Sequence, residues 1–312
     1  MASPGPKALA ASAETTLYGG FSGMKPVGIY STTTATPPTL TPLASISSVT
    51  PSAGVYIDGY YHVLSAYIRG SSVLLTTLEK YDTNTWQRVE ILSSGSDVPT
   101  SLVYNPKDGK TYGCYPANSS LFRLCTLDLT SGVKTNGGVL DQRYVALFTD
   151  NSGKVYGIGL DGNLCQLNLE TAEATVIGAT GVTPSIDVQD ACFDESTNTV
   201  YWFAHTADES SLYTVDVTTG KATKVTDFAS PAIRWAGVFA KPAKKVEKPA
   251  FIAKMRTEFD KSSLTGKFIF TMPDKTESGE ALTSNLSYKF FLNDAEYKTG
   301  EGAPGAEVEV PV

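Results

Sequence analysis

A unit of two strands and a turn recurs along most of this chain, and the recurrence limits the fold more than any single motif does. Its clearest copy is residues 211–225, SLYTVDVTTGKATKV. Leu212, Val215 and Val217 alternate approximately with Thr214, Asp216 and Thr218, the pattern of a strand with one buried face. Residues 216–220 read as a tight turn in which Gly220 supplies the positive φ. Residues 121–135 and 164–175 repeat the unit, and residues 77–91 do so more weakly. A second strand pair precedes each copy, starting at Gly54, Ser101, Ala146 and Ala191.

Matching positions in these pairs are Val55, Val103, Leu147 and Cys192, with a fifth match at Val238. A spacing of roughly 40–50 residues with four strands per unit is the signature of a β-propeller. Helical repeats are excluded, because no unit carries an apolar i, i+3, i+4 pattern long enough for a helix. Residues 17–46 supply only three extended segments: LYGGF, PVGIYSTTT and TLTPLASI. The missing strand is found at residues 236–240, so the two ends of the region are expected to share one unit and leave no unpaired edge. The expectation is an all-β fold with a five-bladed propeller over residues 16–240.

Composition bounds the function. The net charge is −7, which lacks the basic face a nucleic-acid partner requires. No apolar run approaches the ~20 residues of a membrane helix. Residues 1–15 are small, proline-bearing and aperiodic, and are predicted to be a disordered leader. Residues 8–13 are too short for the apolar core of a signal peptide. A cytosolic protein lacks such a signal, and so does a trimmed secreted one.

Cys114, Cys125, Cys165 and Cys192 read as small strand-face residues of the core. A bridge between Cys114 and Cys125, on adjacent strands, is the alternative. No Cys-x-x-Cys spacing occurs and His62 and His205 are the only histidines, which speaks against zinc. Asp58, Asp108, Asp150 and Asp194 each sit in a turn between first and second strands. Calcium is conceivable there, but such turns demand Asp, Asn and Gly in any case.

Residues 241–249 form a charged linker between prolines, and the pattern changes beyond it. Residues 250–312 show about five strands, with apolar positions at Phe268, Phe270, Tyr288 and Phe290 and a turn at 302–305. This stretch resembles the first part of a fibronectin type III sandwich, which implies a truncated domain. The repeat units resemble the WD40/YVTN/quinoprotein-like propellers through a D-x-x-T-G turn, matched at 216–220 and 128–132 and, without its glycine, at 170–174. The pairing of these two resemblances implies a bacterial secreted or surface-anchored protein. The tryptophan docking residues of quinoprotein enzymes are missing, so no quinone or other cofactor is expected.

In a propeller, the segments just before the innermost strands share one mouth. Three units place Arg143, Tyr144, Asp187, Gln189, Asp190, Arg234 and Trp235 there, and these are the predicted ligand-binding residues. Aromatic area beside orienting polar groups suits a glycan or peptide. The same residues also suit a structural role, with the arginines pairing to Asp187 and Asp190 and Trp235 plugging the channel. The expected function is an extracellular or cell-surface binding or adhesion module, monomeric and without catalysis. The alternatives are a glycoside hydrolase or lyase using Asp187 and Asp190, and a structural spacer. No G-x-S-x-G element accompanies His205.

Overall fold

The computed structural model describes residues 14–46, 50–69, 72–93, 95, 97–242, 249–250, 252, 255–276, 279 and 281–312. Most of the predicted leader and linker lies outside these residues. Among the described residues there is no helix. The chain divides into two compact units, Met1–Ala243 and Lys244–Val312.

The first unit opens with β1 (Thr16–Ser22), β2 (Gly28–Thr33) and β3 (Thr41–Ser45). A meander follows of β4 (Thr50–Ile57), β5 (Tyr60–Arg69), β6 (Ser72–Asp82) and β7 (Arg88–Ser93). The next comprises β8 (Ser101–Asn105), β9 (Lys110–Pro116), β10 (Phe122–Leu127) and the short β11 (Lys134–Thr135) and β12 (Val139–Leu140). Then come β13 (Tyr144–Thr149), β14 (Val155–Gly159), β15 (Asn163–Leu167) and β16 (Ala174–Ala179). The last meander is β17 (Asp190–Asp194), β18 (Thr199–His205), β19 (Ser210–Val215) and β20 (Ala222–Asp227), and β21 (Arg234–Ala240) ends the unit.

Each meander is one antiparallel sheet. In the third, β11 and β12 both pair with β10 and share the place of an outer strand. The sheet of β1–β3 is completed by β21, which pairs with β1 along Leu17↔Ala240 to Ser22↔Arg234. The first strands lie side by side in succession: β4 against β8, β8 against β13, β13 against β17, β17 against β21, and β21 against β4. The arrangement is propeller-like. Between neighbouring sheets lie apolar clusters, such as Val145, Phe148, Ile158, Trp202 and Val215 between the fourth and fifth.

The outer turns carry their own chemistry. Asp216 Oδ1 accepts the Thr218 N–H at 2.8 Å, and Gly220, at φ 82°, returns its N–H to the Asp216 carbonyl at 2.7 Å. Asp128 and Gly132 (φ 72°) repeat this. The third copy was expected at 170–174. It begins instead at Asn168, whose Oδ1 takes the Glu170 N–H at 2.9 Å, and Ala172 stands in the glycine's place at φ 62°. A fourth copy runs from Asp82 to Trp86 at φ 57°. Of the inner-turn aspartates, Asp108, Asp150 and Asp194 are likewise used locally. Asp150 Oδ1 accepts from Ser152 and Lys154 N–H groups, and Asp194 accepts from Ser196 and Thr197.

All four cysteines are free and buried. Cys114 stands opposite Leu124, and Cys125 opposite Gly113. Successive residues of a strand point to opposite faces, so the two thiols enter different clusters and form no bridge.

The second unit holds β22 (Met255–Asp260), β23 (Thr265–Thr271), β24 (Leu286–Leu292), β25 (Ala295–Gly302) and β26 (Glu307–Pro311). A three-stranded sheet, β22-β23-β26, and a two-stranded one, β24-β25, enclose a small core of Phe270, Met272 and Val310 with Tyr288 and Phe290. Its polar face carries a charge ladder, Glu258–Lys267–Glu309 with Arg256–Glu307. Such exposed pairs contribute little to stability.

Candidate ligand-binding face

Strands β13, β17 and β21 begin at or beside the predicted mouth residues. The structure divides those residues into two groups. Tyr144, Gln189, Asp190 and Trp235 are at most 2 % exposed, so they offer no open platform. The reason is the double burial of a first strand, whose two faces both pack against neighbouring sheets. Trp235 lies among Phe21, Phe203 and Phe228, with centroids 5.0–5.7 Å away. The Tyr144 ring occupies the space left by Gly157, and its hydroxyl donates to Asp141 at 2.9 Å. The Gln189 amide donates to the carbonyls of Ser185 and His205 and accepts from the Trp202 indole at 3.2 Å.

Asp190 is an internal brace. Its Oδ1 accepts the Ser101 hydroxyl at 2.7 Å and the Ala191 N–H at 3.0 Å, while Oδ2 accepts the Gly237 N–H at 2.8 Å. Ser101 in turn accepts the Leu147 N–H at 2.9 Å. Four first strands are thus joined through one carboxylate. Burial pushes this carboxyl up to about 7, against the pull of the hydrogen bonds.

Arg143, Asp187 and Arg234 are part-exposed. Arg234 pairs with Asp187 at 3.2 Å and donates to the Ala232 carbonyl at 2.9 Å. Arg143 does not pair with an aspartate as the structural alternative supposed. It donates to the Ile186 carbonyl at 2.6 Å and lies over the Phe122 ring at 6.0 Å. Its Nε is buried and has no partner among the described residues. Burial lowers its pKa from the ordinary guanidinium value. Arg143 and Phe122 line a groove of about 370 Å³ with Ser52, Pro99, Thr100, Pro116, Asn118 and Val188.

Sequence reasoning missed two groups here. Ser185 and His205 come together, with Oγ and Nδ1 2.8 Å apart, and His205 Nε2 lies 2.8 Å from the Pro231 carbonyl. Asp187 is 3.6 Å from the same Nδ1. Only the doublet's residue types were visible in the sequence, since the pairing joins a loop residue to the end of β18, 20 residues on. Phe122 was likewise hidden, being read as part of a repeated strand. The other histidine, His62, is buried, and burial with the nearby Lys80 lowers its pKa to about 4.

The opposite ends of the first strands surround a second cavity, of about 250 Å³. All five sheets line it, through Val55, Val103, Leu147, Cys192 and Val238 among others. These are the matched repeat positions themselves. No group of three or more His, Cys, Asp or Glu suited to a metal ion occurs among the described residues.

No family model and no curated sequence matches this chain. Solved structures resemble it at low identity. A provisionally named 6-phosphogluconolactonase of Bacteroides uniformis is 11% identical, with a TM-score of 0.44 over 95% of this chain and 99% of that one. A chain of the nidogen–laminin complex is 9% identical, with a TM-score of 0.44 over 73% of this chain and 98% of that one. A gluconolactonase of Xanthomonas campestris is 10% identical, with a TM-score of 0.41 over 79% and 76% of the two chains.

Proposed function

We propose that this protein is a binding module, its first unit a five-bladed propeller that takes a carboxylate-bearing glycan or peptide in the groove beside Arg143. The observation that carries this reading is the incomplete pairing of Arg143, a desolvated guanidinium with an unpartnered Nε beside an aromatic ring. A planar fork of donors matches a carboxylate, and Phe122 supplies a stacking face for a sugar ring or a side chain. The groove's volume lies at the low end of the ~300–1,000 Å³ range of small-ligand sites. The predicted residues Tyr144, Gln189, Asp190 and Trp235 then support the face from within rather than touch the ligand. The reading extends to a fibronectin type III-like second unit, and to a monomer acting outside the cytoplasm or at the cell surface.

A hydrolytic reading has one observation in its favour, and it is not the acid pair Asp187 and Asp190, which serve an ion pair and an internal brace. With His205 Nε2–H donating to the Pro231 carbonyl, Nδ1 is free to accept the Ser185 proton. Ser185 Oγ would attack an ester carbonyl, the proton would pass through His205 to the leaving alcohol, and a water deprotonated by His205 would then release the acyl group as the acid and return the proton to Ser185.

One experiment addresses both. A glycan and peptide array is probed with the wild-type chain and with Arg143→Ala and Phe122→Ala, and hits are assayed for turnover with Ser185→Ala alongside. Acidic hits lost in both groove variants, with thermal unfolding unchanged, support binding. Hits that persist in both variants exclude the groove. Turnover lost in Ser185→Ala moves the conclusion to hydrolysis.

A further inference from the structure

The cavity at the far ends of the first strands is a well with a distinctive charge distribution. Its walls are apolar and aromatic. Tyr56 and Phe239 stack at 4.8 Å, nearly parallel, and Phe193 stands across from the second sheet on the fifth. Three carboxylates, Asp58, Asp150 and Glu195, belong to three different sheets and line the same well. Asp58 and Glu195 are exposed. Asp150 is ionised, since burial would raise it but hydrogen bonds from Ser152, Lys154 and Tyr156 prevail and hold it below the ordinary range. No lysine, arginine or histidine is among the lining residues. The neighbouring Lys241 is turned onto Tyr18 and Trp86, 4.9 Å from each ring, and donates to the Thr83 carbonyl.

An apolar well ringed by one sign of charge favours a small ion of the other sign. Aromatic faces attract a desolvated cation, and a low-dielectric wall focuses the field of the carboxylates. The volume of about 250 Å³ lies below that of typical drug-sized clefts, so the occupant is a small molecule rather than a polymer. We propose that this well binds a free small cation of the alkylammonium class, its apolar body inward and its charge at the level of Asp58, Asp150 and Glu195. This site is separate from the groove of Arg143, and its standing does not depend on that groove.

The test is titration calorimetry of the full chain with choline and with its neutral isostere 3,3-dimethyl-1-butanol. Choline is expected to bind about fivefold or more tightly than the alcohol, and to weaken as salt is added. The double variant Asp58→Asn, Glu195→Gln is expected to lose about tenfold in choline affinity with unchanged thermal unfolding, as asparagine tolerates the left-handed φ of 47° at position 58. Should the double variant unfold, Glu195→Gln alone, at an exposed position of the Asp194–Thr197 turn, is expected to show about a threefold loss. Arg143→Ala is expected to bind choline as the wild type does. Equal binding of the two probes, no binding of choline at tens of millimolar, an affinity unaffected by the rim variants, or a loss caused by Arg143→Ala would each overturn the proposal.

Discussion

Asp190 illustrates how one buried residue is asked to do two opposed things. Its carboxylate ties first strands together, accepting from Ser101, Ala191 and Gly237. It is also nearly dry, at 2 % exposed, and burial disfavours its charge. The consequence for stability has a definite sign. Below pH ~4 the carboxyl is protonated in folded and unfolded chains alike. Between the ordinary carboxyl value and about 7 the folded chain keeps a proton that the unfolded chain has released. Stability from this group therefore falls as pH rises through that window, and levels off above it. Asp190→Asn removes the titration while keeping one oxygen acceptor. The melting temperature of the variant, relative to wild type, is expected to rise between pH 5 and pH 8. A difference that stays constant over this range would remove Asp190 as the titrating group. The sequence put Asp190 at the head of an innermost strand, and it is the first residue of β17. It did not disclose that the carboxylate points inward, because the partners Ser101 and Gly237 lie 89 and 47 residues away.

At the scale of elements, the turns were the most readable feature because their chemistry is local. An aspartate that caps its own turn and a glycine with positive φ are adjacent in sequence, so 216–220 and 128–132 could be read directly. The misplacement at 170–174 followed from two substitutions, Asn168 for the aspartate and Ala172 for the glycine, which keep the geometry and discard the signature. The aromatic positions of the predicted mouth were less readable. A strand covered on both faces shows no alternation, so Tyr144 and Trp235 could not be told from surface rings. The turns also differ in what they tolerate. At Gly220, φ is 82° and an added Cβ would lie 2.5 Å from the Gly178 carbonyl oxygen. Gly220→Ala is expected to cost roughly 1–3 kcal/mol in urea unfolding. Ala172→Gly, which relieves the same φ but loses a buried methyl, is expected to stay within about 1 kcal/mol of wild type. Equal costs at both positions would show that backbone strain does not govern these turns.

On the scale of the whole first unit, its two ends meet in a single sheet, and the seam between β1 and β21 is irregular. The pairing register shifts between Tyr18 and Gly20. Into that irregularity comes the hydroxyl of Tyr61, from the second sheet. It accepts the Gly20 N–H at 3.0 Å and donates to the Ala236 carbonyl at 3.0 Å. Tyr61 is fully buried, and burial keeps its phenol protonated. One side chain thus satisfies a donor from one end of the unit and an acceptor from the other. Replacing it with phenylalanine removes both bonds and leaves both backbone groups buried, while the ring's packing on Phe239, at 4.9 Å, is retained. An unsatisfied buried group costs about 1–3 kcal/mol. Tyr61→Phe is therefore expected to lower stability by roughly 2 kcal/mol or more. The location of the effect tests the idea more sharply than its size. If the hydroxyl holds the seam, amide exchange should speed up first in β1 and β21, at Gly20 above all, while β13–β15, far along the ring, stay as protected as the variant's global stability permits. Uniform acceleration through all five sheets would mean that the seam opens only with the whole unit, and that Tyr61 contributes to a common core rather than to the joining of the ends.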